Sequence, residues 1–128
     1  MDSQQIFKKL RFDATKKSLI VNAPAEYQEI LQGLTFDETQ KGEGIYDFVQ
    51  IFAKNQAELE QLLLENCKAG KYDCLFWACC PKMSGKIKSD IKRETIWKAL
   101  GLINLDSVSQ IAIDETWTAM RGRPFGPI

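Results

Sequence analysis

Residues 72–82 read YDCLFWACCPK, a nearly continuous apolar run. A run of this kind is typical of a strand whose two faces are both buried, although periodicity alone also permits a helix. Pro81 closes the run, because proline has no N–H to donate to a neighbouring strand. The stretch therefore predicts a buried strand that presents Lys82 at its carboxyl end.

Strands and helices alternate on both sides of this run. Such alternation favours an α/β fold with one mostly parallel or mixed sheet of about four or five strands, about three covering helices and right-handed crossovers. The order is Rossmann-like, but the chain has no nucleotide-binding motif of spaced glycines. The predicted strands span 18–24, 34–38, 45–54, 72–82 and 106–125, and the predicted helices span 24–33, 55–70 and 89–101.

Local signals set the helix boundaries. Asn55 and Glu58 form a box-like helix start, and Gly70 ends that helix. Ser89 or Asp90 is the predicted cap of the last helix. The residues predicted to face inward are Leu59, Leu62, Leu63 and Cys67 in the first of these helices, Ile91, Ile96, Ala99 and Leu100 in the second, and Val108, Ile111 and Ile113 in the last strand. The residues from Trp117 onward continue that strand or pair with it as a hairpin.

Composition limits the class of protein. The 128 residues are the length of a single α/β domain over 1–128, with about 15 residues at the start and about 5 at the end expected to be peripheral. The 17 basic and 17 acidic residues cancel, so a nucleic-acid partner is unlikely. No apolar stretch is long enough to span a bilayer and no secretory signal is seen, so no membrane contact and a cytoplasmic location are expected.

The chain contains no histidine. Histidine-based nucleophilic catalysis and zinc sites with imidazole ligands are therefore excluded for this chain alone. The four cysteines are predicted to be free thiols, since their spacing fits neither zinc knuckles nor a redox motif. No catalytic residue, metal or cofactor is predicted. The cysteines are Cys67, Cys74, Cys79 and Cys80.

The predicted ligand-binding edge is the carboxyl edge of the sheet, where loops leave parallel strands. Three stretches should meet there: NAPAE after the first strand, CCPKMSGK after the long apolar strand, and AIDETW. Lys82, Ser84 and Lys86 could bind an anion together with free backbone N–H groups. The alternative is a solvated loop with a simple turn at Ser84.

The closing segment AIDETWTAMRGR offers two interpretations. The adjacent carboxylates of Asp114 and Glu115 could do acid–base chemistry if their pKa values differed. Alternatively, Asp114 pairs with Arg121 or Lys82 in a structural clamp beside Trp117. The pattern favours the clamp, because neighbouring residues on a strand point in opposite directions.

The succession LIVNAP, YDFVQIFAKNQAELEQLL, CLFWACCPKMSGKIKSDIKRETIWKALGL and AIDETWTAMR resembles a family of short bacterial proteins known only as a domain of unknown function. The resemblance covers about residues 18–122 and implies the same fold and edge, but no reaction. It makes the Cys79–Cys80 pair a local substitution. The positions it marks are Asn22, Ala23, Pro24, Pro81, Lys82, Asp90, Asp114, Glu115, Trp117 and Arg121.

The element order also looks like the later half of a class I methyltransferase sheet. The chain lacks that fold's Gly-rich first loop and the acidic end of its second strand, which hold the adenosyl cofactor. The likeness is therefore one of architecture, and architecture does not by itself imply activity.

Two functional hypotheses follow. The first is a non-catalytic binding or regulatory domain with an unknown protein partner or a second copy of itself, and the absence of histidine and of a nucleotide motif favours it over an enzyme. The alternative is a protein or enzyme that binds a small anionic or nucleotide-like ligand around Lys82, Asp114 and Arg121. The residues of that predicted site are Asn22, Lys82, Ser84, Lys86, Asp114, Trp117 and Arg121.

Overall fold

The apolar stretch forms the central strand of a five-stranded sheet in the order β1-β2-β3-β5-β4. The computed structural model describes residues 3–82 and 87–124. The predicted α/β class, with a mixed sheet and helices in Rossmann-like order, is confirmed. The strands are β1 (Ser18–Val21), β2 (Tyr46–Phe52), β3 (Gly70–Pro81), β4 (Leu105–Ala112) and β5 (Trp117–Pro124), and the helices are α1 (Ser3–Leu10), α2 (Ala25–Ile30), α3 (Gln56–Asn66) and α4 (Arg93–Leu102).

Strand directions follow from the connections. β1, β2 and β3 are parallel, and α2 and α3 lie in the crossovers between them. β5 is antiparallel to both β3 and β4. β4 and β5 therefore form a hairpin, which confirms the hairpin alternative for the last segment.

The side chains of β3 point alternately to two buried faces, which explains its nearly continuous apolar sequence. Phe76, Ala78 and Cys80 pack into the core on one face, together with residues of α3 and α4. Trp77 and Cys79 pack into a second core on the other face, together with residues of α1 and α2. Because successive side chains on a strand point to opposite faces, the part of β3 that is covered on both sides, residues 76–81, has no position for a solvated polar residue.

The start of α3 is capped as predicted. The Asn55 side chain accepts the Glu58 N–H at 2.9 Å, and the Glu58 carboxylate accepts the Lys54 N–H at 2.8 Å. Leu59 and Leu63 are buried as expected. Cys67, predicted to face inward, is exposed because the helix ends at Asn66.

The predicted cap of α4 is wrong. The helix begins at Arg93, with Lys92 at the N-cap position. Asp90 instead accepts the backbone N–H of Gln56 at 2.8 Å and so caps α3. Ser89 accepts the N–H of Ile91 at 3.1 Å in the loop before the helix. A cap-like residue near a helix start can thus serve another helix.

Two smaller predictions also fail. The expected strand at 34–38 is a single bridge between Leu19 and Asp37. Val108, expected inward, is 50% exposed, because β4 changes register against β5 between Ser107 and Ser109. An irregularity of this kind turns a side chain away from the face it would otherwise share.

The sequence pattern does not predict α1, which nevertheless contributes to the core. Ile6 and Leu10 are buried on the side of the sheet that α1 and α2 cover, which we call the α1/α2 face; the opposite side is the α3/α4 face. The Leu10 carbonyl accepts the indole N–H of Trp77 at 3.0 Å, which joins the helix to the central strand. In the described part of the chain, no helix has the length and apolar character needed to cross a membrane.

The two buried tryptophans of this face should respond differently to replacement by phenylalanine. Trp77→Phe leaves the Leu10 carbonyl unpaired, whereas the indole N–H of Trp117 has no hydrogen-bond partner to lose. We expect Trp77→Phe to lower the free energy of unfolding by about 1–3 kcal/mol more than Trp117→Phe, measured by urea denaturation. Equal losses would contradict a stabilising role for the Trp77–Leu10 hydrogen bond.

Candidate functional site

The loops predicted to meet at one edge do so. β1, β2, β3 and β4 all end at the carboxyl edge, and β5 begins there. The Asn22 amide donates to the Phe52 carbonyl at 2.9 Å, and the Lys82 N–H donates to the Thr116 carbonyl at 2.8 Å. The first bond joins the loop after β1 to the end of β2, and the second joins the end of β3 to the turn between β4 and β5.

The sheet nevertheless divides the predicted site residues between two faces. Trp117 packs into the α1/α2 face, where it meets Phe52 edge-on at 5.3 Å between ring centroids. Thr118, the next residue, points to the α3/α4 face and lines a cavity there with Lys82. Trp117 and Lys82 are thus close in the backbone but separated by the sheet.

Asp114 has a structural role. Its carboxylate accepts the N–H groups of Thr116 and Trp117 at 2.8 and 2.7 Å and so holds the tight turn between β4 and β5. Asp114 thus acts through backbone groups of its own turn, and its pairing with Arg121 or Lys82 stays a prediction.

Asn22 and Arg121 do not line the cavity beside Lys82. Asn22 is exposed and has a left-handed backbone with φ of 62°. Arg121 is opposite Trp77 in the β3–β5 ladder and lies four residues, or about 13 Å, along the strand from Trp117. Ser84 and Lys86 lie outside the described residues.

A cavity of about 520 Å³ opens at the carboxyl edge between the sheet and the start of α4. Its described lining includes the cationic side chains of Lys82, Lys92 and Arg93 and no acidic side chain. We call this space the carboxyl-edge cavity. Its other described lining residues are Pro81, Ile91, Ile96, Gln110, Ala112 and Thr118.

The charge at the start of α4 is unusual. A helix N-terminus has a partial positive charge and unpaired N–H groups, so acidic residues are normally favoured there. α4 instead begins with Lys92 and Arg93, and Glu94 is the acidic residue of its first turn. Basic residues at this point strengthen a positive field that an anionic ligand would neutralise.

Long-range hydrogen bonds fix this wall of the cavity. The Gln56 backbone N–H donates to Asp90 at 2.8 Å, and the Gln56 side-chain amide donates to the Thr95 carbonyl at 3.1 Å. Gln56 therefore ties the first turn of α3 to the first turn of α4. The position of Lys92 and Arg93 depends on this link.

The sequence did not identify four polar residues of the cavity. Lys92 and Arg93 could have been found, because a Lys-Arg pair near a predicted helix start opposes the helix dipole. The other two face the cavity only because β4 pairs with β5, where the Gln110 amide donates to the Thr118 hydroxyl at 3.1 Å. The residues are Lys92, Arg93, Gln110 and Thr118.

The adjacent cysteines are core residues. All four cysteines are free, and Cys79 and Cys80 are buried on opposite faces of β3. Burial raises the pKa of the Cys80 thiol to about 12 and raises that of Cys79 as well. Among the described residues, no cluster of potential metal ligands is found.

The exposed and the buried thiols should therefore differ clearly in their reactivity. With a pKa raised to about 12 by burial, the Cys80 thiol is almost entirely protonated at pH 8, and the thiolate is the reactive form. We expect iodoacetamide to modify the exposed Cys67 in the folded protein while Cys79 and Cys80 react only in denaturant, as read by mass spectrometry. Modification of all three at similar rates in the folded state would contradict the core assignment.

No family model and no curated protein matches the chain. Among solved structures, the chain is similar to the crystal structure of magnesium protoporphyrin IX methyltransferase from Synechocystis PCC 6803 with bound SAH, with a TM-score of 0.54, 11% identity and coverage of 94% of this chain and 82% of that chain. It also matches tRNA (m1A58) methyltransferase TrmI from Aquifex aeolicus, with a TM-score of 0.45, 14% identity and coverage of 97% and 69%.

The first similarity supports the fold and corrects the main functional prediction. The first of these neighbours is an enzyme, and it was crystallised with bound SAH. The prediction of a non-catalytic binding or regulatory protein is therefore wrong as the main interpretation, and the preference against an enzyme is not supported. The ligand-binding alternative agrees better with this neighbour.

The residues present do not fit an adenosyl cofactor at the first loop. Pro24 has no N–H, and the Asn22 amide is already bonded to Phe52. Tyr27 and Trp117 both pack against Phe52, with ring centroids 4.8 and 5.3 Å away, in the buried core of that face. β1 is also the edge of the sheet, so no further strand in the described chain brings an acidic end beside it.

Proposed function

We propose that the chain binds a small, phosphate-bearing, nucleotide-like ligand in the carboxyl-edge cavity. The observation that carries the proposal is the convergence of Lys82, Lys92 and Arg93 on one cavity with no acidic side chain in its described lining. Ammonium and guanidinium groups are the side chains that recognise phosphate, by charge and by directed N–H bonds. The proposal concerns binding, the step that any enzymatic use of this cavity requires.

The shape and the rest of the lining support a ligand larger than inorganic phosphate. A volume of about 520 Å³ lies within the range of about 300–1,000 Å³ usual for small-molecule sites. Ile91 and Ile96 supply an apolar wall, and Gln110 and Thr118 supply hydrogen-bonding groups. A ligand with a planar apolar part and an anionic end matches this division.

Arg93 is held beside the cavity by an aromatic neighbour. Its guanidinium lies over the ring of Trp97, 5.6 Å from the centroid, and Trp97 is 48% exposed. A cation on an indole face gains a modest attraction and loses little of its ability to donate hydrogen bonds at its edges. Arg93 is therefore available to a ligand while its position is restrained.

Thermal denaturation with a panel of ADP, AMP, adenosine, inorganic phosphate and SAM tests the proposal. A ligand at about 100 times its dissociation constant adds about 2.7 kcal/mol to stability, which raises the Tm of a domain of this size by roughly 10 °C. We expect stabilisation by ADP and AMP and none by adenosine. A flat response across the panel, or an equal response to adenosine, would refute the proposal.

Charge removal gives a second prediction with opposite signs for the free and bound protein. Lys92→Ala removes an unfavourable charge from a helix N-terminus, so the free variant should be as stable as the parent or more stable by up to about 1 kcal/mol. Arg93→Ala removes such a charge together with the attraction of the guanidinium to Trp97, so its two effects on the free protein oppose each other. The stabilisation of both variants by ADP should fall, as it should in Lys82→Ala. Lys98→Ala, an exposed change on the same helix outside the cavity lining, is the control and should retain the full ADP response.

The cytoplasmic location, a protein partner or homodimer and the resemblance to the family of short bacterial proteins remain predictions from the sequence.

A further inference from the structure

A second cavity lies at the opposite end of the sheet. It has a volume of about 490 Å³ and is formed where β3 begins and β5 ends, beside the last turns of α3 and α4. We call it the amino-edge cavity. Its described lining residues are Cys67, Gly70, Lys71, Tyr72, Cys74, Phe76, Ile103, Asn104, Leu105, Gly122 and Pro124.

An irregularity in the sheet accompanies this cavity. Tyr46 of β2 is opposite Gly70 of β3, and Phe48 is opposite Leu75. Two steps along β2 thus correspond to five steps along β3, so three additional residues of β3 leave the regular ladder. Such bulges are frequent beside binding sites, because they open a local space and redirect side chains.

Two strand glycines form part of the wall. A Cβ at Gly122 would lie 3.1 Å from Leu105 and 3.2 Å from Leu100, and a Cβ at Gly70 would overlap the Cys74 sulfur. Glycine weakens a strand, and inside one it often marks a close approach of another group. At both positions the neighbouring side chains leave little room for a Cβ atom, so glycine fits this part of the cavity wall best.

The chemistry of the lining differs from that of the carboxyl-edge cavity. Phe76, Ile103 and Leu105 present an apolar wall, and the last two are half-buried. The one charged residue of the described lining, Lys71, pairs with Asp47 at 3.0 Å. That pairing removes the preference for an anion that a lone ammonium group would give.

We propose that the amino-edge cavity binds a neutral, largely apolar small molecule. The proposal rests on the apolar wall, the neutralised lysine and the two glycines, and it does not depend on the ligand of the carboxyl-edge cavity. Cys67 at the surface and Cys74 in the wall place thiols beside the same space, where they report on its occupancy.

N-phenyl-1-naphthylamine, a neutral fluorescent probe, tests the proposal with the whole chain. We expect saturable binding of one molecule per chain, weakened at least about tenfold in Ile103→Phe, which fills the space. Leu102→Phe changes the exposed neighbour outside the lining and should leave binding unchanged. Equal probe affinity in the parent and in a folded Ile103→Phe variant would overturn the proposal.

A second measurement on the parent protein covers the case in which Ile103→Phe fails to fold. Saturating probe should slow the reaction of Cys67 and Cys74 with iodoacetamide several-fold, with the sites resolved by mass spectrometry. ADP should leave these rates unchanged. Unprotected thiols at probe saturation would place the probe elsewhere and refute the inference.

Discussion

Burial of β3 on both faces is the constraint on which the rest of the structure depends. Each large apolar side chain removed from water contributes about 1.5–3 kcal/mol, so a strand of this composition is stable only when both of its faces are covered. Trp77 and Phe76 point to opposite sides and require helices on each. The α1/α2 layer and the α3/α4 layer meet that requirement.

The same alternation controls the chemistry at the carboxyl edge. Because consecutive residues face opposite layers, polar groups that arrive together in the backbone are separated by the sheet. Trp117 joins an aromatic cluster on one side, while Thr118 and Lys82 face the cavity on the other. The ligand-binding surface is therefore assembled from one face of the sheet and from the start of α4, and does not extend across the whole edge.

Sequence reasoning succeeded where the signal was local. The long apolar run, the cap at Asn55 and the meeting of three loops at one edge each follow from neighbouring residues or from the parallel order of strands. Which residues line the site depends instead on contacts that the sequence does not show, such as strand pairing. Asp114 satisfies backbone groups of its own turn, Arg121 lies well inside the ladder, and Gln110 reaches Thr118 only because β4 pairs with β5.

The start of α4 shows a different limit. Asp90 looks like a cap for the helix that follows it, but its partner is the N–H of Gln56, 34 residues earlier. A local rule cannot tell which helix a capping side chain serves. The anomalous Lys92–Arg93 pair was visible in the sequence, but it gained meaning only when the cavity beside it was known.

The Gln56 link has a consequence for how the carboxyl-edge cavity would bind. Its two hydrogen bonds join the beginnings of α3 and α4, so the cationic groups at the start of α4 are set in place when the protein folds. A preorganised site loses less conformational freedom on association than a flexible one. Gln56, an uncharged residue outside the cavity lining, would thereby influence affinity by holding these groups in place before a ligand arrives.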